Sequence, residues 1–136
     1  MSAIKVRGAL EVALAAITPA LDTAYENRAH TPTAGTPYQR VNVLFGTPEN
    51  TENSPSYDEV GFVQVTLCYP TKDSPGSGPV TTRAELIRTT FRRGITFATG
   101  GVTTTIMRTP EIMPAFIDGD RFCVPVRIQF RAQIQL

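Results

Sequence analysis

Residues 118–136 read DGDRFCVPVRIQFRAQIQL, and the alternation inside them decides the fold. Phe122, Val124, Val126, Ile128, Phe130, Ala132 and Ile134 share one parity, whereas Arg121, Cys123, Pro125, Arg127, Gln129, Arg131 and Gln133 share the other. A β-strand sends successive side chains to opposite faces, so the segment predicts a long strand with one dry face and one wet face. Pro125 has no N–H to donate. That part of the strand is therefore expected at an edge, at a bulge, or where the missing amide would point away from the ladder.

Two segments upstream repeat the pattern. In YQRVNVLFG (38–46), Val41, Val43 and Phe45 oppose Arg40, Asn42 and Leu44; in VGFVQVTLCYP (60–70), Val63, Val65, Leu67 and Tyr69 oppose Gln64, Thr66 and Cys68. Both read as strands, antiparallel to each other. The stretch between them, Thr47 to Tyr57, is polar and carries two prolines, which predicts a long exposed loop; long loops in compact domains are usually functional or mobile. Further on, Ile95–Ala98 and Val102–Met107 flank Thr99-Gly100-Gly101, where glycine supplies the positive φ of a tight hairpin. HTPTAGTP (30–37) is turn chemistry, and Leu21 to Asn27 is expected to be short and extended.

Helical spacing appears twice. Val6, Leu10, Ala13, Leu14 and Ile17 recur at intervals of three and four over residues 3–17, with Ser2 placed to cap the start and Pro19 to stop the end. Val80, Ala84, Ile87 and Phe91 do the same in a second helix, where Thr82 and Glu85 match a capping box, so the start is expected near Thr82 and the end before Gly94. PTKDSPGSGP (70–79) reads as the linker before it.

Two amphipathic helices and one sheet with an apolar face have an economical solution. We expect a single α+β domain over residues 1–136, with a mixed, mainly antiparallel sheet and both helices packed on one face. The opposite face would carry Gln64, Thr66, Arg127, Gln129, Arg131 and Gln133. Arg is enriched where proteins meet, so this face is the candidate interaction surface. Replacing Arg127 and Arg131 with Glu is expected to spare the fold and impair association.

Composition excludes several functions. With 13 Lys plus Arg against 12 Asp plus Glu over 136 residues, no net field draws in a polyanion, which argues against a dedicated nucleic-acid binder. Apolar runs are too short to span a membrane, and Arg7 and Glu11 interrupt the N-terminal one, so a soluble protein made in the cytosol is expected. Cys68 and Cys123 are the two cysteines, without CxxC spacing. They share the parity of the polar residues in their strands and read as ordinary reduced thiols, adjacent if the strands pair. His30, the one histidine, lies in a loop without a partner of the kind a general base needs and reads as a surface residue. Asp118 and Asp120 lack the further oxygen ligands of a calcium loop, and GSGP lacks the Lys-Ser/Thr of a phosphate loop. Arg83, Arg88, Arg92 and Arg93 read as a solvated helix face, with Glu85 pairing Arg88. No enzyme, metal or cofactor is indicated.

The strings TPYQRVNVLFGTPENT (36–51), VGFVQVTLCYP (60–70), TTRAELIRTTF (81–91) and RTPEIMPAFIDGDRFCVPVRIQFRAQI (108–134), in this order, resemble the tail-terminator proteins of long-tailed bacteriophages and prophages. The resemblance covers nearly the whole chain, although none of the strings encodes a reaction. It implies an α+β fold and a minor tail protein that forms a ring, expected to be hexameric, on the end of the tail tube. There it would stop polymerisation and prepare the tail for the head. Its partners would be itself, the tube protein and the head–tail connector, with assembly in the host cytoplasm and no membrane or sequence-specific nucleic acid. The 47–57 loop would add polar contacts, so Glu49, Asn50 and Glu52 join Gln64, Arg127, Gln129, Arg131 and Gln133 as candidate interface residues. The alternative from another class is an adaptor that binds a protein strand along an open sheet edge.

Overall fold

The parity of the closing segment is realised in the computed structural model, which describes residues 2–50, 55–71 and 77–135. Its last strand, β8 (Arg121–Ile134), lies antiparallel to β3 (Tyr57–Pro70) along its whole length, from Tyr57 opposite Ile134 to Pro70 opposite Arg121. These two strands are the spine of the molecule. β2 (Tyr38–Phe45) pairs antiparallel with the other side of β3, and β1 (Asp22–Ala24) pairs parallel with β2. Along the far side of β8 run three short strands: β5 (Val102–Ile106), β6 (Glu111–Ile112) and β7 (Phe116–Asp118); β4 (Thr96–Thr99) lies outside β5. Among the described residues the order is β1-β2-β3-β8-β5-β4, with β6 and β7 beside β8. The fold is α+β with a mixed, mostly antiparallel sheet.

The dry parity of each long strand builds the core. Val124, Val126, Ile128, Phe130, Ala132 and Ile134 of β8, Val63, Val65 and Leu67 of β3, and Val41 and Val43 of β2 are all buried in one cluster. Helix α1 (Ser2–Ala15) covers this face with Val6, Leu10 and Leu14, and α2 (Gly78–Thr90) covers it with Val80, Ala84 and Ile87. Side chains four residues apart share one stripe of a helix, which is why these and not their neighbours go inward. The expected cap by the Ser2 side chain and residues 72–76 of the expected 70–79 linker lie outside what the structure describes, while the ends of that linker are structured, Pro70 closing β3 and Gly78 and Pro79 opening α2.

Helix α2 begins a turn earlier than the Thr82 capping box implies. Pro79 sits in its first turn, where a missing N–H costs nothing, and the Thr82 hydroxyl donates instead to Gly78 O at 2.9 Å inside the helix. Arg83 is buried with Val80, Ala84 and Ile87, and its guanidinium donates to Pro19 O. Burial pulls the Arg83 pKa down, and Tyr69 beside it pulls the other way. The helix-two arginines therefore divide: Arg83 anchors the 19–21 segment, Arg88 donates to Pro110 O and Glu85, and Arg92 and Arg93 are exposed.

Pro125 is tolerated in mid-strand because of the side it faces. Its carbonyl accepts from Met113 N at 2.9 Å, so its nitrogen also points toward the β6 side, and no bond to β3 is lost. Gly100 and Gly101 make the β4–β5 turn with φ of +57° and +84°, and Lys5 Nζ donates to Gly100 O at 2.9 Å, tying α1 to the hairpin. The outer edge of β2 is blocked by a carboxylate: Glu26 Oε1 accepts from Val43 N at 2.6 Å and from Arg7 at 2.8 Å. Burial alone would raise the Glu26 pKa, but these contacts outweigh it and hold it low.

Candidate functional site

The second face of the sheet is where the candidate residues gather, and it is not uniformly wet. Three zones divide it. At the β8 N-terminal end, the parallel pairing of β1 with β2 forces a crossover through residues 25–37, and that crossover lies over the face. Arg121 holds it in place, donating to Thr36 O at 2.7 Å and Thr33 O at 2.8 Å while its guanidinium stacks 4.8 Å from the Tyr38 ring centroid. Beneath it Ala24, Tyr38, Cys68 and Cys123 form a small second core. The cysteines are directly opposite each other across β3 and β8, and both are free thiols. Burial first, and then the Cys68 thiol, push Cys123 up to about 12. His30 is half-buried, with Nε2 3.0 Å from Asp22 Oδ2 and its ring stacked on Tyr38 at 5.5 Å; it is a fixed part of this cover rather than a loose surface residue.

At the other end, Arg131 is clasped by two acids. It donates to Glu49 Oε2 and lies 3.6 Å from Asp58 Oδ2. Glu49 is positioned for this by a backbone bridge, its N donating to Asp58 O and Asp58 N donating to Glu49 O at 2.8 Å. Arg131 is thus an internal partner of the 47–50 segment and not a free cation. Gln133 beyond it and Asn50 are exposed, and Glu52 lies outside the described residues.

Between these covers lies an uncovered window. Its rows follow from the register: Arg40, Thr66 and Pro125; then Asn42, Gln64, Arg127 and Glu111; then Leu44, Phe62 and Gln129. Gln64, Arg127 and Gln129 are half-buried by one another and by their neighbours, while Arg40 and Leu44 are exposed. Arg127 sits over the Phe62 ring, Cζ 4.3 Å from its centroid, with Nε buried and unpartnered. A guanidinium over an aromatic face is oriented without being neutralised. The structure therefore brings together Gln64, Arg127 and Gln129, sets Arg131 with Glu49 in a separate clasp, and leaves Gln133 and Asn50 apart.

The expectation of a wholly wet face is corrected accordingly: Arg121 and Cys123 are buried under the crossover, and Pro125 is buried as well. Sequence reading also missed the apolar members of the window, Leu44 and Phe62. The signal was present, since both share the parity of the polar residues in their strands. Among the described residues no group of three or more His, Cys, Asp or Glu stands close enough to hold a metal ion.

A geometry of this kind can meet a surface, and comparison with known proteins gives the family of the chain. The profile of the family described as phage tail terminator protein matches residues 5–130. The chain belongs to that family. Membership makes this terminator-family chain a structural component of a phage tail. A solved structure 22% identical to it superposes with a TM-score of 0.78 over 100% of this chain and 99% of that one; at such identity the likeness speaks for the fold alone. No curated protein matches the chain in sequence.

Proposed function

We propose that the chain forms a ring, hexameric by analogy with its family, that seats on the end of a tail tube, ends tube growth and offers the head–tail connector a surface. The observation that carries this reading is the family match over residues 5–130. The fold suits it. A ring of identical subunits needs two unlike surfaces on each, and this sheet leaves a window open on one face while its far edge ends in short, separately displayed strands. The role is structural and non-enzymatic, and assembly takes place in the host cytoplasm before the tail joins the head.

The adaptor reading fits less well. Adding a foreign strand requires a run of free backbone groups, and the outermost strands are short: β1 has 3 residues, β4 has 4 and β6 has 2. Glu26 also occupies the edge of β2 beyond β1.

Negative-stain images of the purified protein, alone and mixed with tail tubes, test the proposal. Rings in solution or capped tube ends are expected. A protein that remains monomeric and leaves tube ends bare overturns it.

A further inference from the structure

The uncovered window has a counterpart elsewhere on the same chain. The flap formed by β6, β7 and their connections, residues 111–120, runs along the outer side of β8. It shows Phe116 at 46% and Ile117 at 63% exposure, and both Asp118 and Asp120 are exposed without an ion pair among the described residues. The window is its chemical complement: Leu44 is 47% exposed beside Phe62, and among the described residues neither Arg40 nor Arg127 has a carboxylate in ion-pair contact. Elsewhere the described arginines of this face are neutralised or held by carbonyls, as with Arg131 and Arg121. Phe116 and Ile117 with two spare acids stand on the outer side of β8, while the window spans β2, β3 and β8, meets the flap at Glu111 beside Arg127, and holds apolar groups with two spare cations.

We propose that this pair is the subunit joint: the flap of one copy seats in the window of the next, Phe116 and Ile117 against Leu44 and Phe62, Asp118 and Asp120 against Arg40 and Arg127. The inference rests on the ring reading and names its contacts. Like surfaces fit poorly here, because flap on flap sets acid against acid and window on window sets Arg40 and Arg127 against their copies, with Glu111 the one acid in the row of Arg127. The joint is therefore head-to-tail, the kind that closes into a ring when the rotation permits. β2 and the flap lie on opposite sides of the β3–β8 spine, so each copy can give and receive at once. Complementary charge fixes register and rejects wrong pairings, and the apolar centre supplies the hold.

Charge reversal in the full-length chain tests it. One variant carries Arg40→Glu with Arg127→Glu, the other Asp118→Lys with Asp120→Lys; circular dichroism and thermal melting report whether each is folded, and mass photometry and tube-end imaging report rings. Each variant alone is expected to lose ring formation at least tenfold. An equimolar mixture is expected to recover it, since every joint in an alternating, even-numbered ring again sets acid against cation. Normal rings from either variant, or folded variants that fail to recover on mixing, overturn the assignment. Leu44→Ser and Ile117→Ser, which leave the charges alone, should each weaken rings about tenfold, and unaltered rings from both also overturn it. If wild-type protein forms rings and the variants do too but no longer cap tubes, the window faces the tube and this joint is wrong while the ring stands. If wild-type protein forms no ring, even on tubes, the ring reading itself falls.

Discussion

Arg131 and Cys123 show how far a residue's meaning depends on what lies across from it. Read along the strand, Arg131 is one more polar side chain on a wet face; in the fold it is 35% exposed and satisfies Asp58, which is only 8% exposed. Reversing it to Glu would leave three acids at one spot, one of them with little access to water. Arg131→Glu is expected to lower stability by about 2 kcal/mol, beyond the roughly half kcal/mol of an ordinary surface exchange. Urea unfolding measures it, and a loss under about 0.5 kcal/mol would show the clasp to be idle. Cys123 carries a pH signature. Because the folded state favours its neutral thiol, with a pKa near 12 against an ordinary 9.0, its contribution is complete below pH 9 and is lost as pH rises toward 12. Unfolding midpoints should fall on alkalinisation across that window, and less steeply in Cys123→Ala; equal slopes would refute the contribution.

The elements divide into those that local pattern dictates and those that pairing dictates. The strict alternation of residues 122–134, the same pattern in 41–45 and 63–69, and the two glycines at 100–101 made β8, β2, β3 and the hairpin legible, because period and turn chemistry are local properties. The crossover was not. Nothing within residues 25–37 says that β1 pairs parallel with β2, and only that pairing carries the loop over the second face to Arg121. The start of β3 was hidden for another reason: Asp58 and Glu59 look like loop residues, yet Asp58 is buried in company with Arg131 and Glu49 on one face, while Glu59, across from Ala132, is buried on the other. Gly61 gives a direct test of how tightly β2 and β3 meet. A Cβ there would lie 2.1 Å from Leu44 O and 3.0 Å from Phe45 Cα, both backbone atoms that cannot turn aside. Gly61→Ala is expected to destabilise by about 2–3 kcal/mol, the upper part of the roughly 1–3 kcal/mol typical of forced overpacking, and to disturb Leu44 at the window; a calorimetric midpoint equal to wild type would show that the strands can part at little cost.

For the whole molecule the sheet works as a partition. One side is sealed by two helices into the main core; the other is closed at both ends and open in the middle, so the surface left for partners is small and defined. The candidate site was half legible: Arg127, Gln129 and Gln64 were identified by parity, while Leu44 and Phe62 were passed over because polar neighbours set the reading of their face. If association runs through that opening, folding and assembly are linked. The melting temperature of wild-type protein should then climb with protein concentration, as it does whenever the native state is the form that associates, while a window variant should melt at a constant temperature. Concentration-independent melting of the wild type across the range where rings are seen would break the link.

The placement of the two sulfur atoms has a practical use. The chain has 2 cysteines, and both are sealed back to back under the crossover. The native surface therefore supplies a silent background for site-specific chemistry. A fluorophore placed through Thr109→Cys on one batch and a quencher through Thr47→Cys on another, both at exposed positions outside the proposed joint, would respond to neighbours alone, so the association of copies could be followed in real time.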